Sequence, residues 1–129
     1  MLTEQYLTSK GYEFLGCGRS RKVFLSPNGQ WVVKIPIGPY GMEDNLREYQ
    51  LWKLSHYQRA RCRIVSRICL VMEFVDHQLM LDRFNVTGEN AHEIYIQSML
   101  KLPRWVILLD CFQAGYNRKG QLVAYDYAD

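Results

Sequence analysis

The chain has 129 residues, and 16 lysines and arginines against 13 aspartates and glutamates give it a formal charge of +3. Hydrophobic residues make up 48% of the chain, which excludes wholesale disorder, and no apolar run approaches the roughly 20 residues of a membrane span. The N-terminus lacks the basic start and apolar stretch of a signal peptide. We therefore expect one cytoplasmic domain over residues 1–129, with no membrane association.

The first third of the chain predicts a short helix followed by three antiparallel strands. Thr3 is a suitable N-cap for a helix that reaches about Lys10. Glycines and turn residues then separate three segments rich in β-formers, at Tyr12–Leu15, Lys22–Leu25 and Gln30–Pro36. The loop between the first two strands contains the sequence Gly-Cys-Gly at residues 16–18.

A helix is predicted from about Met42 to His56, after a connection at residues 37–41 that contains two glycines and a proline. Its apolar residues spread widely around the helix axis. Glu48 shares a face with Leu51 and Trp52, so this carboxylate lies beside large apolar neighbours rather than opposite them.

The second half predicts two strands, two helices and a hairpin. The strands are Arg61–Arg67 and Ile68–Val75, and the second has the near-continuous apolar pattern of a strand buried on both faces. Helices are expected at Ala91–Leu102 and Arg104–Asp110, followed by strands at Gln113–Tyr116 and Gln121–Tyr125. The fold class is therefore α+β, with a five-stranded antiparallel sheet and one large helix.

Several of these residues meet the needs of a phosphate site. Phosphates require close approach of backbone N–H groups, which glycines permit, and a fixed cation with a group that holds it. Gly16 and Gly18 lie between two strands, Lys34 lies in a Val-Val-Lys-Ile strand, and Glu48 lies in the next helix. Asp126, after the last strand, is of the type that ligates magnesium.

In this order the residues resemble the N-terminal lobe of the protein-kinase fold, followed by a remnant of the second lobe. Lys34 is similar to the lysine of the third kinase strand and Glu48 to the glutamate of the following helix, which are catalytic residues of that family. The Asp126-Tyr127-Ala128 sequence is similar to the D-F-G motif. The resemblance implies ATP and magnesium as cofactors, with Asp126 as a metal ligand.

The same resemblance implies a nucleotide-binding set beyond Lys34. Gly16, Gly18 and Val23 match the glycine-rich loop and the valine that follows it. Met72 matches the gatekeeper, and the backbone at Glu73 and Val75 matches the hinge that faces an adenine.

The chain departs from the family pattern at three places. Arg21 replaces the third glycine of the loop, and no H-R-D sequence is present, so Asp110 is the only positional candidate for the catalytic base. Gln113 lies near the expected position of the asparagine that binds magnesium. We therefore expect a minimal kinase-like protein of the pseudokinase type that acts mainly through a macromolecular protein partner. A compact, active phosphotransferase is the first alternative.

Arg59, Arg61 and Arg63 alternate along the chain, which would place three guanidinium groups on one face of a strand. Such a row could contact carboxylates of a protein or phosphates of a nucleic acid. The second alternative is therefore a non-enzymatic inhibitor or adaptor that binds a macromolecule through this row. A solvated basic face is the simplest interpretation of the same pattern.

Overall fold

A computed structural model describes residues 2–128, and the chain divides into two compact units. Residues 2–74, with Ala128, belong to the first unit, and residues 75–127 form the second. The single domain expected over residues 1–129 stays a prediction. No helix within residues 2–128 is long and apolar enough to cross a membrane.

The first unit is a five-stranded antiparallel sheet with two helices, which confirms the predicted α+β class. Its elements are α1 (Glu4–Ser9), β1 (Glu13–Cys17), β2 (Arg21–Leu25), β3 (Trp31–Pro36), α2 (Gly38–Leu54), β4 (Cys62–Val65) and β5 (Cys69–Glu73). The strand order is β1-β2-β3-β5-β4. Leu70 and Met72 of β5 are fully buried because this strand pairs on both sides.

The N-terminal helix begins as predicted, since the Thr3 Oγ1 accepts a hydrogen bond from the Tyr6 N–H at 3.1 Å. The expected end of β1 at Leu15 is wrong, because Gly16 and Cys17 still pair with Val23 and Lys22 of β2, after a register shift between Phe14 and Gly16. The loop between β1 and β2 is therefore shorter than expected and contains residues 18–20.

The expected connection at residues 37–41 is also wrong, because α2 already begins at Gly38. Pro39 fits the first helical turn, where a missing N–H is tolerated. A Cβ at Gly41 would meet the Ser20 carbonyl and would lie 2.8 Å from the Pro36 Cα. The glycine thus allows α2 to start directly against the β1–β2 loop.

The predicted arginine row is only partly formed. Strand β4 begins at Cys62, so Arg59 and Arg61 precede it rather than extending its face. The Arg59 Nη1 donates to the carbonyl oxygens of Leu51 and Ser55, at 2.8 and 3.1 Å. Arg59 therefore satisfies carbonyl groups at the C-terminal end of α2, where a cation also complements the helix dipole.

The second unit contains three helices and a hairpin. They are α3 (His77–Arg83), α4 (Ala91–Lys101), α5 (Arg104–Ile107), β6 (Ala114–Tyr116) and β7 (Leu122–Ala124). Asn90 caps α4 as predicted, with its Oδ1 accepting from the Glu93 N–H at 2.9 Å. The hairpin is confirmed by the pairing of β6 with β7.

Two differences from the sequence-based expectations matter in this unit. Helix α3 was not expected; Asp76 caps it by accepting the Leu79 N–H at 3.0 Å, and Met80 and Leu81 bury its apolar face. The helix expected to end at Asp110 ends at Ile107 instead. Asp110 begins a separate 3₁₀ turn, Asp110–Phe112.

Candidate functional site

The two charged residues that the sequence analysis paired lie in direct contact inside the first unit. The Lys34 Nζ donates to the Glu48 Oε1 at 2.8 Å. Lys34 is 4% exposed and Glu48 is fully buried. Lys34 lies in β3 and Glu48 in α2, so the contact joins the sheet to the helix that follows β3. The predicted lysine–glutamate pair is therefore present as geometry.

A second cation shares the same carboxylate. The Arg21 Nη1 donates to the Glu48 Oε1 at 2.6 Å, and Nη2 donates to Oε2 at 3.3 Å. Arg21 is 7% exposed and begins β2, opposite Pro36. The arginine that replaces the third glycine of the loop thus points into the first unit, and its planar fork matches both carboxylate oxygens.

Asn45 completes this buried polar cluster, which we call the charge cluster (Arg21, Lys34, Asn45 and Glu48). Its Nδ2 donates to the carbonyl oxygens of Lys34 and Ile68, at 3.0 and 2.8 Å. Its Oδ1 accepts from the Arg21 Nη1 at 3.3 Å. Because Asn45 lies one turn before Glu48, a single face of α2 connects β2, β3 and the link between β4 and β5.

The two cations control the ionisation of Glu48. Burial alone would raise its pKa, but the charges and hydrogen bonds of Lys34 and Arg21 outweigh burial and lower the pKa from 4.5 to about 2. Glu48 is consequently a carboxylate at every physiological pH. It can hold both cations in place without a change of protonation.

The two glycines of the predicted phosphate loop have no steric role in the fold. Neither has a positive φ. A Cβ at Gly16 would meet nothing within 4 Å, and one at Gly18 would lie 3.7 Å from the Arg21 carbonyl oxygen. The fold therefore does not require glycine at either position.

The β1–β2 loop is attached to the start of α2 through Ser20. The Ser20 Oγ donates to the Asp44 Oδ2 at 2.5 Å, and the Ser20 carbonyl accepts from the Ile37 N–H at 2.7 Å. Together with the close approach of Gly41, these contacts fix the loop relative to Glu48. The loop and the charge cluster are therefore connected through polar contacts to the same helix, α2.

The residues of the predicted hinge lie where the chain passes from one unit to the other. Met72 is fully buried in β5, opposite Val32 and Cys62. The Glu73 N–H donates to the Arg61 carbonyl at 2.9 Å. Val75 is the first residue of the second unit. Val23, the remaining residue of the predicted nucleotide set, lies directly opposite Lys34 in the β2–β3 register.

The second unit brings its three predicted site residues to one end of the hairpin. Asp110 is exposed at the start of its 3₁₀ turn, and Asp126 follows β7 and is half-buried. The Gln113 carbonyl accepts from the Tyr125 N–H at 3.0 Å, so the backbone of Gln113 lies beside the residue that precedes Asp126.

The pKa shifts of Cys111 and Tyr125 also indicate that Asp126 lies near these residues. Asp110, burial and Asp126 all raise the pKa of the exposed Cys111 thiol, with the charge of Asp110 as the largest cause. Burial and then Asp126 raise the pKa of Tyr125 to about 12. Both carboxylates therefore act on Cys111. Within residues 2–128, no group of three or more His, Cys, Asp or Glu side chains is arranged to hold a metal ion.

Part of the charge cluster was not predicted from the sequence. Arg21 was expected as a departure from the loop pattern and as a possible extension of the arginine row, and neither Asn45 nor Asp44 was a predicted site residue. The i, i+3 spacing of Asn45 and Glu48 was a usable signal, since it places the amide on the face that carries the carboxylate. The pairing of Arg21 with Glu48, 27 residues apart, depends on the sheet register and had no local signal.

The comparisons with known proteins give distant similarities to solved structures and nothing else. No protein-family model matches the sequence, and no curated protein matches it. Among solved structures, the chain is similar to the GDP complex of a mutant aminoglycoside 2'-phosphotransferase-IIIa, with 18% sequence identity and a TM-score of 0.48. The similarity covers 78% of this chain and 42% of that protein's chain, so this chain spans less than half of its neighbour's length.

Proposed function

We propose that the protein is a kinase-like nucleotide-binding protein of the pseudokinase type, which binds ATP with magnesium and acts mainly through a protein partner. The observation that carries the proposal is the buried contact of Lys34 with Glu48, at 2.8 Å. Compared with apolar side chains of similar size, a buried ion pair contributes little net stability, because both ions lose their hydration. A role in holding a cation for a phosphate accounts for its presence better than stability does.

The loop geometry supports the same function. Gly16 and Gly18 have no steric reason to be glycine, whereas an approaching phosphate needs backbone without a Cβ. Arg21 places a second cation on Glu48, at the end of this loop. Two cations on a fixed carboxylate suit a polyanionic ligand such as a triphosphate.

Lack of efficient phosphotransfer is the second part of the proposal. Phosphoryl transfer needs a group that orients the nucleophile and a firmly held metal. Asp110 is exposed on a short 3₁₀ turn, and Gln113 offers a neutral amide where a magnesium ligand is expected. We expect little or no turnover of ATP with generic protein substrates.

An active phosphotransferase is the alternative that one observation favours. Asp110 and Asp126 both act on the Cys111 thiol, so two carboxylates lie at one end of the hairpin. Cys111 and Phe112 have positive φ values of 51° and 52°, a strained backbone that often marks functional sites. Autophosphorylation that disappears in Asp126→Asn would establish this alternative and exclude the pseudokinase.

Thermal unfolding with and without Mg-ATP tests nucleotide binding. A ligand that binds only the folded state stabilises it, and about 10 mM ATP with a Kd of about 1 mM gives roughly 1.4 kcal/mol. Lys34→Ala should remove this stabilisation. Lys22→Ala is the matched control, because Lys22 lies in the adjacent strand and contacts Glu4 at the surface, at 3.0 Å. An unchanged melting temperature of the wild-type protein in Mg-ATP would contradict the proposal.

A further inference from the structure

The first unit contains a cavity that is separate from the charge cluster. Its volume is about 630 Å³, within the range of about 300–1,000 Å³ that is typical of ligand pockets. We call it the aromatic pocket and define it by six of its lining residues: Tyr12, Trp31, Tyr49, Trp52, Arg61 and Arg63. None of Gly16, Gly18, Lys34 and Glu48 lines it.

The pocket combines an apolar interior with a cationic edge. Val33 and Val71, from adjacent strands, supply aliphatic surface between the aromatic rings. The Arg61 guanidinium lies 5.2 Å from the centre of the Trp31 ring, so a cation–π contact holds its charge at the pocket. Arg63, two residues further on, is also exposed.

No lining residue within the described part of the chain is acidic. Glu73 does not line the pocket but contacts one of its residues, since its Oε2 accepts the main-chain N–H of Arg61 at 2.7 Å. That contact uses the backbone of Arg61 and is compatible with the stacking of its guanidinium on Trp31. The charge of the pocket lining is therefore positive, and its occupant should be negative.

We propose that the aromatic pocket binds a short acidic peptide segment of a partner protein. A large apolar side chain of the segment would occupy the space among Trp31, Trp52 and Val71, and neighbouring carboxylates would contact Arg61 and Arg63. Tryptophan, tyrosine and arginine are the residues that most often dominate binding energy at protein interfaces, and all three types line this cavity. Arginine also pairs bidentately with carboxylates.

A nucleic acid fits the pocket less well than a peptide. Arg59 donates to the carbonyl oxygens of Leu51 and Ser55, so the predicted row of three arginines contributes two exposed guanidinium groups here. A phosphate backbone is usually followed by a larger set of cations, and the chain carries a formal charge of only +3.

The test uses a random nonapeptide display library as the probe, followed by titration of the selected synthetic peptides. Trp105 of the second unit is first replaced by phenylalanine, so that the remaining tryptophans, Trp31 and Trp52, both line the pocket. We expect selected peptides to combine aspartate or glutamate with an aromatic or leucine residue. Their binding should change the fluorescence emission of Trp31 and Trp52. The double variant Arg61→Gln with Arg63→Gln should bind them at least about tenfold more weakly.

Two controls make the outcome decisive. Arg118→Gln removes an exposed arginine of the second unit and should leave peptide binding unchanged. The double variant should keep the wild-type melting temperature, because both of its arginines are exposed. Selection of peptides without carboxylates, or equal binding by the double variant, would overturn the proposal. The proposal would also be overturned if single-stranded oligo(dT) changed the tryptophan emission and none of the selected peptides did. None of these measurements contains ATP or magnesium, so a failure of the peptide proposal is distinguishable from a failure of nucleotide binding.

Discussion

The two units of the protein differ in where their polar candidate residues lie. In the first unit, Glu48 is fully buried and holds Arg21 and Lys34, which are almost equally buried. In the second unit, Asp110 is exposed on a 3₁₀ turn and Asp126 is half-buried. The predicted lysine–glutamate pair is thus built into the fold of one unit, whereas the predicted base is exposed and the predicted metal ligand half-buried in the other. This contrast is what the proposed function requires, since it combines nucleotide binding with little or no phosphotransfer.

The largest expected effect comes from removing the carboxylate that the two cations share. Glu48→Ala should lower the free energy of unfolding by about 3–5 kcal/mol, because it breaks a buried charge network. Glu43→Ala, on the exposed face of the same helix, is the control. Asp110→Ala in the second unit should change stability by no more than about 0.5 kcal/mol. Urea unfolding measures all three, and equal effects of Glu48→Ala and Asp110→Ala would remove the contrast between the units.

The pH dependence of stability should report the same carboxylate. The folded-state pKa of Glu48 is lowered, so its ionised form stabilises the protein above pH 4.5, and this contribution is lost as the pH falls towards about 2. The shift corresponds to roughly 3 kcal/mol. The stability difference between the wild-type protein and Glu48→Gln should therefore shrink from pH 5 to pH 3. A constant difference across this range would show that Glu48 is not held by its two cations.

Glycine substitutions should separate structural from ligand-binding glycines within the first unit. Gly41→Ala places a Cβ against the Ser20 carbonyl and the Pro36 backbone, and overpacking of this kind costs about 1–3 kcal/mol. Gly16→Ala meets open space and should leave stability unchanged while weakening the response to Mg-ATP. Melting curves of both variants with and without Mg-ATP provide the measurement. Loss of stability in Gly16→Ala would show that the fold itself requires glycine at this position.

The smallest expected effect concerns the second unit. Asp110 is the main cause of the raised pKa of the exposed Cys111 thiol. Asp110→Asn should therefore lower this pKa and speed alkylation of Cys111 by iodoacetamide at pH 8 by a few-fold, since the thiolate is the reactive form. Peptide mass spectrometry distinguishes Cys111 from the exposed Cys17, whose rate serves as the internal reference. An unchanged rate would mean that Asp110 does not act on this thiol.

The sequence predicted those features that leave a local pattern. The strands of the sheet, the α4 cap at Asn90 and the turn of the hairpin all follow from residue types at short spacing. Helix α3 also had such a signal, since Asp76 precedes the apolar residues Met80 and Leu81, but no helix was expected there.

Features that depend on register or on distant contacts could not be predicted in the same way. The contact of Arg21 with Glu48 requires β2, β3 and α2 to be placed relative to one another. The arginine row was misjudged because alternation implies one face only within a strand, and β4 begins after Arg61. The grouping of Arg61 with Trp31 arises from neighbouring strands, and the spacing of arginines and aromatics along the chain did not indicate it.

Equilibrium binding of a fluorescent ATP analogue, mant-ATP with magnesium, tests the central claim most directly. The wild-type protein should bind the analogue, and excess ATP should displace it. Lys34→Ala should bind at least about tenfold more weakly, because it removes the cation that Glu48 holds, while Lys22→Ala should bind like the wild-type protein. Absence of binding by the wild-type protein at millimolar nucleotide, or unchanged affinity in Lys34→Ala, would contradict a nucleotide site built on Lys34 and Glu48.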